Sequence, residues 1–242
     1  MAKLLYDDRL APITSTLGFL KCDAETAASV FYEWHTRICL PRRQSLAMKD
    51  VFAESLEAIL QSLLPLVSIE PIRYLFVPTR GRWTAYFDNG WCGGDPPSVV
   101  SYLVKKIGCL GIRAVWVPNT RSEHKGRYGA VIFEVYDKPN PILNIRRSVA
   151  LVNEGNWSNK WDFYTSGEPF PFEQTERYNT YRKTDRFTPE MLDAYLKELG
   201  IDAFSEDFYL ATKERPAKLV SIGGKIPRVV KKYSLSSARK DY

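Results

Sequence analysis

The chain has 242 residues, 45% hydrophobic and 26% charged, a globular composition with enough apolar side chains for a full core. Asp7 and Asp8 interrupt the N-terminal segment before an apolar run of signal-peptide type can form, and the longest uncharged apolar stretch, residues 58–69, is broken by Gln61, Ser62 and Pro65. A membrane span needs about 20 apolar residues, so a cytoplasmic protein with no membrane partner is expected. The net charge of +6 is uneven, because residues 213–240 carry nine Lys and Arg against one acid, Glu214, while residues 1–212 are close to neutral.

An extended segment from Pro12 to Leu20 opens the chain. Asp23 is a good N-cap for a helix whose Ala27, Ala28, Phe31, Trp34, His35 and Ile38 share one face, and Pro41 ends it. The spacing of Phe52, Leu56, Ile59, Leu60, Leu63 and Leu64 predicts a second helix over 44–64. Strands are expected over 73–77 and 83–88, joined by Pro78-Thr79-Arg80-Gly81. A glycine-rich turn, residues 89–95, then feeds a helix with Asp95 as its cap and Pro96 first. Val99, Val100, Leu103, Val104 and Ile107 form its buried face, Gly108 stops it, and a strand over 113–117 follows. That strand–helix–strand run implies one β-α-β crossover.

Three further strands are predicted over 130–136, 142–152 and 160–165. They are separated by Lys138-Pro139-Asn140-Pro141 and Asn153-Glu154-Gly155-Asn156, turn compositions that imply an antiparallel meander. Thr188, Pro189 and Glu190 start a short helix lined by Met191, Leu192, Tyr195 and Leu199 and closed by Gly200. The fold class expected is α+β: a mixed, mainly antiparallel sheet with N-terminal helices, one β-α-β crossover and a basic C-terminal arm. Residues 1–212 read as a single domain and residues 213–242 as the extended arm.

The four cysteines, Cys22, Cys39, Cys92 and Cys109, form no Cys-x-x-Cys pair, and the histidines are only His35 and His124, so no metal site is expected. A helix between Cys22 and Cys39 would hold them about 24 Å apart. That is beyond the roughly 7 Å a disulfide allows, and Cys92 and Cys109 meet the same objection. Reduced thiols follow. No nucleotide fingerprint is present, so no cofactor is expected. His35, on the buried stripe, reads as a core histidine, and His124 lies in a polar loop. Asp88, Asp95, Glu134, Asp162, Glu168 and Glu173 lie on or near predicted strand ends and read as ordinary surface acids.

Two places remain where chemistry or binding could sit. The glycine-rich turn, with Gly93 and Gly94 at a helix N-terminus, is a candidate anion site. An enzyme acting there on a small phosphorylated or nucleotide-like molecule is one reading. The other place is a set of Trp and Arg side chains around strand ends and loops: Arg80, Arg82, Trp83, Trp91, Arg146, Arg147, Trp157 and Trp161. Trp and Arg are enriched at interface hot spots, so this set reads as a face for a protein partner. The arm, with Lys213, Arg215, Lys218, Lys225, Arg228, Lys231, Lys232, Arg239 and Lys240, offers a third reading, contact with a nucleic-acid backbone through residues 213–242. Its Leu219, Val220, Ile222, Ile226, Val229 and Val230 call for docking on the domain or on a partner.

The runs Leu17-Gly18-Phe19-Leu20-Lys21-Cys22, Trp83-Thr84-Ala85-Tyr86-Phe87-Asp88-Asn89-Gly90, Phe170-Pro171-Phe172-Glu173 and Asp185-Arg186-Phe187-Thr188 resemble those of uncharacterised bacterial proteins similar to the immunity proteins that accompany polymorphic toxins. The resemblance implies a non-enzymatic binding protein that neutralises a cognate toxin by stoichiometric binding. It carries over no functional residue. Many such proteins are acidic, whereas this chain is basic.

Overall fold

The computed structural model describes residues 4–68, 70–94, 96–121, 126–137, 144–153, 155, 160–224 and 230–241. Its centre is an antiparallel sheet whose strands are, in chain order, β1 (Thr16–Leu20), β2 (Gln44–Val51), β4 (Arg73–Pro78), β5 (Thr84–Asp88), β6 (Gly111–Val117), β7 (Ala130–Tyr136), β8 (Ile145–Asn153), β9 (Trp161–Ser166) and β10 (Ala217–Gly224). Across the sheet they run β2-β10-β4-β5-β1-β6-β7-β8-β9. Two short segments, β3 (Leu66–Val67) and β11 (Lys232–Tyr233), pair separately. The helices are α1 (Ala24–Cys39), α2 (Leu56–Leu60), α3 (Pro96–Ile107), α4 (Pro189–Glu198) and α5 (Leu235–Asp241).

Alternation along the central strands feeds two cores. Leu75 and Val77 of β4 and Ala85 and Phe87 of β5 point into one. Tyr74, Phe76 and Tyr86, the residues between them, point into the other, with Phe31 of α1 and Val100 and Leu103 of α3. A strand buried on both faces needs apolar residues at every position, which is why β4 and β5 read as continuous hydrophobic runs. Each fully buried Leu or Phe contributes about 1.5–3 kcal/mol. α1 and α3 cover one face, and the N-terminal segment, α2, α4 and the residues around Phe204–Tyr209 cover the other. Gly111 sits where a Cβ would lie 2.4 Å from Val100 and 2.6 Å from Val104, so its missing side chain lets α3 seat directly on the sheet.

The caps follow the sequence. The Asp23 carboxylate accepts from the Thr26 amide at 2.8 Å, and the Thr188 hydroxyl accepts from the Met191 amide at 3.3 Å. β5 and β6 both pair antiparallel with β1, so they run parallel to each other. The connection through α3 is thus a β-α-β crossover spanning β1. Strands β7 to β9 form the expected meander, and β6 pairs antiparallel with its first strand.

Two expectations are corrected. The helix predicted over 44–64 is a strand, β2, followed by the single turn of α2 and a 3-10 turn over Gln61–Leu63. The apolar stripe was real only from Leu56 onward. Residues 44–51 are largely exposed, and strand pairing with β10 decides their conformation. The boundary expected after residue 212 is not there either. β10 lies between β2 and β4, with Ala217, Leu219 and Val220 buried, so this part of the arm is an inner strand of the domain. Asp95, His124, Trp157, Lys225, Arg228, the 138–141 turn and most of the 153–156 turn lie outside the described residues.

Candidate binding cleft

The Trp and Arg set does not come together. Thr84, Leu20, Gly111, Tyr136 and Ile145 form one row across the sheet. Arg80, Arg82 and Trp83 lie beyond that row, whereas Arg146 and Arg147 lie within β8 just inside it, and β5 and β8 are four strands apart, roughly 19 Å. Trp91 and Trp161 lie at the opposite end, beyond Asp88 and beside Asn153.

Several members are engaged inside the molecule, which corrects their assignment to an outer face. Arg147 is 3% exposed. It grips the Glu173 carboxylate through Nε at 2.9 Å and Nη2 at 2.6 Å, and donates to the carbonyls of Ser166 and Gly167. Glu173 also accepts from the Tyr178 hydroxyl at 2.7 Å and the Phe170 amide at 2.9 Å. Burial opposes the charge on Arg147, but the Glu173 contacts outweigh it and its pKa rises. Trp83 is buried, with its indole N–H donating to the Leu199 carbonyl at 3.0 Å. Trp91 is half-buried and stacks on Tyr233 at 5.2 Å between centroids. Trp161 packs against the core. Arg146 is exposed, ion-pairs with Asp137 at 3.1 Å and lies 4.9 Å from the Phe170 ring centroid. Arg80 donates to the Asp207 carbonyl.

The glycine-rich turn folds around an acid of its own. The buried Asp88 carboxylate accepts from the Gly90 amide at 2.9 Å and the Tyr86 hydroxyl at 3.1 Å. A Cβ on Gly94 would stand 2.8 Å from its Oδ2. A second anion drawn to Gly93 and Gly94 would meet this carboxylate, so the glycines serve close approach of the chain to Asp88.

Where the β4–β5 loop meets the start of α1, a cleft of about 520 Å³ opens, lined by Lys21, Cys22, Asp23, Gly81, Arg82, Trp83, Thr84 and Arg215. Each wall has a local cause. The β1 ladder continues past Leu20 through the Lys21 amide to the Leu110 carbonyl at 2.8 Å, which fixes Lys21 at the rim. The Thr84 hydroxyl ties β5 to the Cys22 carbonyl at 2.7 Å. Arg215 reaches the Thr79 carbonyl at 3.3 Å, bringing the start of the expected arm to the same place. The Lys21 ammonium stands 5.7 Å from the Trp83 ring centroid, a cation–π distance.

Three cations thus share the cleft with one carboxylate, and that carboxylate is occupied. Burial pushes the Asp23 pKa up, but hydrogen bonds from the Thr26 amide and hydroxyl push it down further, leaving it below the ordinary value. Hydrogen bonding to Cys109 and burial both raise the Cys22 pKa, so it is a protonated thiol. All four cysteines are free. Burial lowers the His35 pKa to about 4, while the Phe31 carbonyl, 3.3 Å from Nδ1, works the other way. His35 is a core group stacked on Phe31.

No family model, curated protein or solved structure matches this chain. Its geometry must therefore speak alone. Among the described residues no group of three or more His, Cys, Asp or Glu side chains could hold a metal ion, and no helix is long and apolar enough to cross a membrane. The described basic residues of 213–239 do not form one strip. Lys218 bridges Glu25 and Asp50, Lys213 stands 5.9 Å from the Phe52 ring centroid, and Arg215 joins the cleft. Sequence reasoning grouped Arg82 with Trp83, placed Arg215 only in the basic arm and did not single out Lys21; their proximity depends on β1 lying beside β5 and on the 212–216 loop passing Thr79.

Proposed function

We propose that this protein is a non-enzymatic binding protein that receives an acidic group of a protein partner in the cleft of Lys21, Arg82 and Arg215. The observation that carries the reading is the convergence of these three cations, from three separate parts of the chain, with only Asp23 against them and that acid committed to capping α1. Buried Trp83 backs the cleft with a rigid apolar wall. The partner class taken forward is a toxin, neutralised in the cytoplasm by stoichiometric occlusion, as the resemblance of the sequence runs suggests. A basic cleft fits a partner that is acidic at its contact surface.

The test is co-expression with the product of the neighbouring gene. Protection from its toxicity should be seen with this protein and lost with the triple variant Lys21→Glu, Arg82→Glu, Arg215→Glu. Affinity of the purified pair should fall about tenfold or more for each reversal. Protection that survives the triple reversal, or a neighbour that harms no cell, sinks the reading.

A further inference from the structure

The two edges of the sheet are treated differently. The β9 edge is dressed: Lys183 and Lys160 ion-pair with Asp162, Phe163 packs on Tyr178, and the Arg186 guanidinium lies 5.7 Å from the Phe163 ring centroid. The β2 edge is not. It is eight residues long, pairs in continuous register with β10 on one side, and no described strand pairs with its other side. It contains no proline, and a single lysine, Lys49, is its conventional guard. Met48, 36% exposed, is the large apolar side chain that β2 itself leaves in the open, and Leu40 at 75% and Phe52 at 51% flank the strand in sequence. Such an edge is a template for another strand.

We infer that β2 pairs antiparallel with β2 of a second copy of this chain, about a two-fold axis through Ala47. Charge and pleat select this register. Directly opposed side chains share a face of the sheet, so the axis of a continuous sheet must pass through a residue. An axis at Leu46 sets Lys49 against Arg43. An axis at Lys49 or Asp50 sets that residue against its own copy, and like charges directly opposed are unfavourable. An axis at Met48 sets Leu46 against Asp50. An axis at Ala47 avoids all of these. It places Leu46 against Met48 twice, Gln44 against Asp50 twice, and the small Ala47 against itself.

The contacts already present are compatible with this pairing. Leu46 packs against the core under α1, so Met48 of the second copy extends an existing apolar patch on that face. Asp50 is held by Lys218 at 2.7 Å and keeps acceptor capacity for the facing Gln44 amide. The Tyr32 hydroxyl donates to the Leu46 carbonyl at 3.2 Å, a long bond that the incoming strand can replace or share. The cleft of Lys21, Arg82 and Arg215 is built on β1 and β5, strands away from this edge, so both copies keep it.

Sedimentation equilibrium tests the inference on the full chain. A species of twice 27.8 kDa should accumulate as concentration rises. Met48→Lys should abolish it without changing the circular dichroism or the melting temperature, since the side chain is exposed. In a Cys92→Ser background, a short bismaleimide should join Ala47→Cys chains across the axis. Lys49→Cys chains should not be joined, because their thiols stand roughly 13 Å apart. A single-chain mass at every concentration, a dimer that Met48→Lys leaves intact, or equal cross-linking at 47 and 49 overturns it.

Discussion

Replacing Arg147 by Met is the perturbation with the largest consequence that the structure allows to be worked out. The Glu173 side chain is 0% exposed and receives three of its hydrogen bonds from this one guanidinium. Methionine fills much of the arginine stem's volume and supplies none of those donors. Glu173 keeps only the Tyr178 hydroxyl and the Phe170 amide, while a buried charge loses its counter-ion. Removing one partner of such a pair costs about 3–5 kcal/mol. For a chain of this length that lowers the melting temperature by about 6–20 °C. The carbonyls of Ser166 and Gly167 also lose a donor, but both residues are exposed and water can replace it. The charge imbalance should therefore dominate. Adding Glu173→Leu to Arg147→Met removes the orphaned carboxylate, and most of the loss should return, because an apolar replacement of a buried ion pair is often neutral. Urea denaturation of the two single variants and the double variant measures the coupling. A single variant within about 1 kcal/mol of the parent, or a double variant no more stable than Arg147→Met, refutes the reasoning.

Three further outcomes are expected. His35 is held neutral in the folded protein with its pKa lowered to about 4, so the unfolded chain binds its proton first; stability present above about pH 6.5 should be lost as the pH falls towards 4, by up to about 3 kcal/mol, and His35→Gln should flatten that part of a pH–denaturation profile. Gly94→Ala should lower stability by about 1–3 kcal/mol, because the new methyl group meets the Asp88 carboxylate at 2.8 Å; thermal unfolding reads this directly, and an unchanged melting temperature would show that the turn relaxes freely. Gly111→Val should cost more than Gly94→Ala, since its Cβ meets two α3 side chains in the core, and a soluble variant with parental stability would contradict the close seating of α3.

Much of the fold is written locally. Asp23 and Thr188 announce their helices by cap chemistry, and the sheet from β4 to β9 shows itself through apolar runs set between turn residues. What is not local is not legible. β2 has no buried stripe, so nothing before Leu56 separates it from the helical spacing that follows, and only its pairing with β10 settles the matter. β10 carries a signal in Leu219, Val220 and Ile222, which a solvated tail does not need, but the surrounding lysines and glycines mask it. The same division holds for the cleft. Arg82 and Trp83 stand together in sequence and were readable as a pair. Lys21 and Arg215 reach them only through the order of strands, and Arg147 looks like its neighbour Arg146 until the fold buries one and exposes the other.

The placement of β10 also sets a timetable. The Lys218–Asp50 contact joins positions 168 residues apart, so β2 leaves the ribosome long before the strand it pairs with. At usual rates of synthesis that interval is on the order of 10–30 s. Throughout it, β4 has its β5 neighbour but an open flank, and β2 has no partner at all. The nascent chain thus displays two adhesive strands until its own last large strand slides between them. Protection by a chaperone should matter most in that window, and a translational pause between residues 51 and 217 would lengthen the exposure.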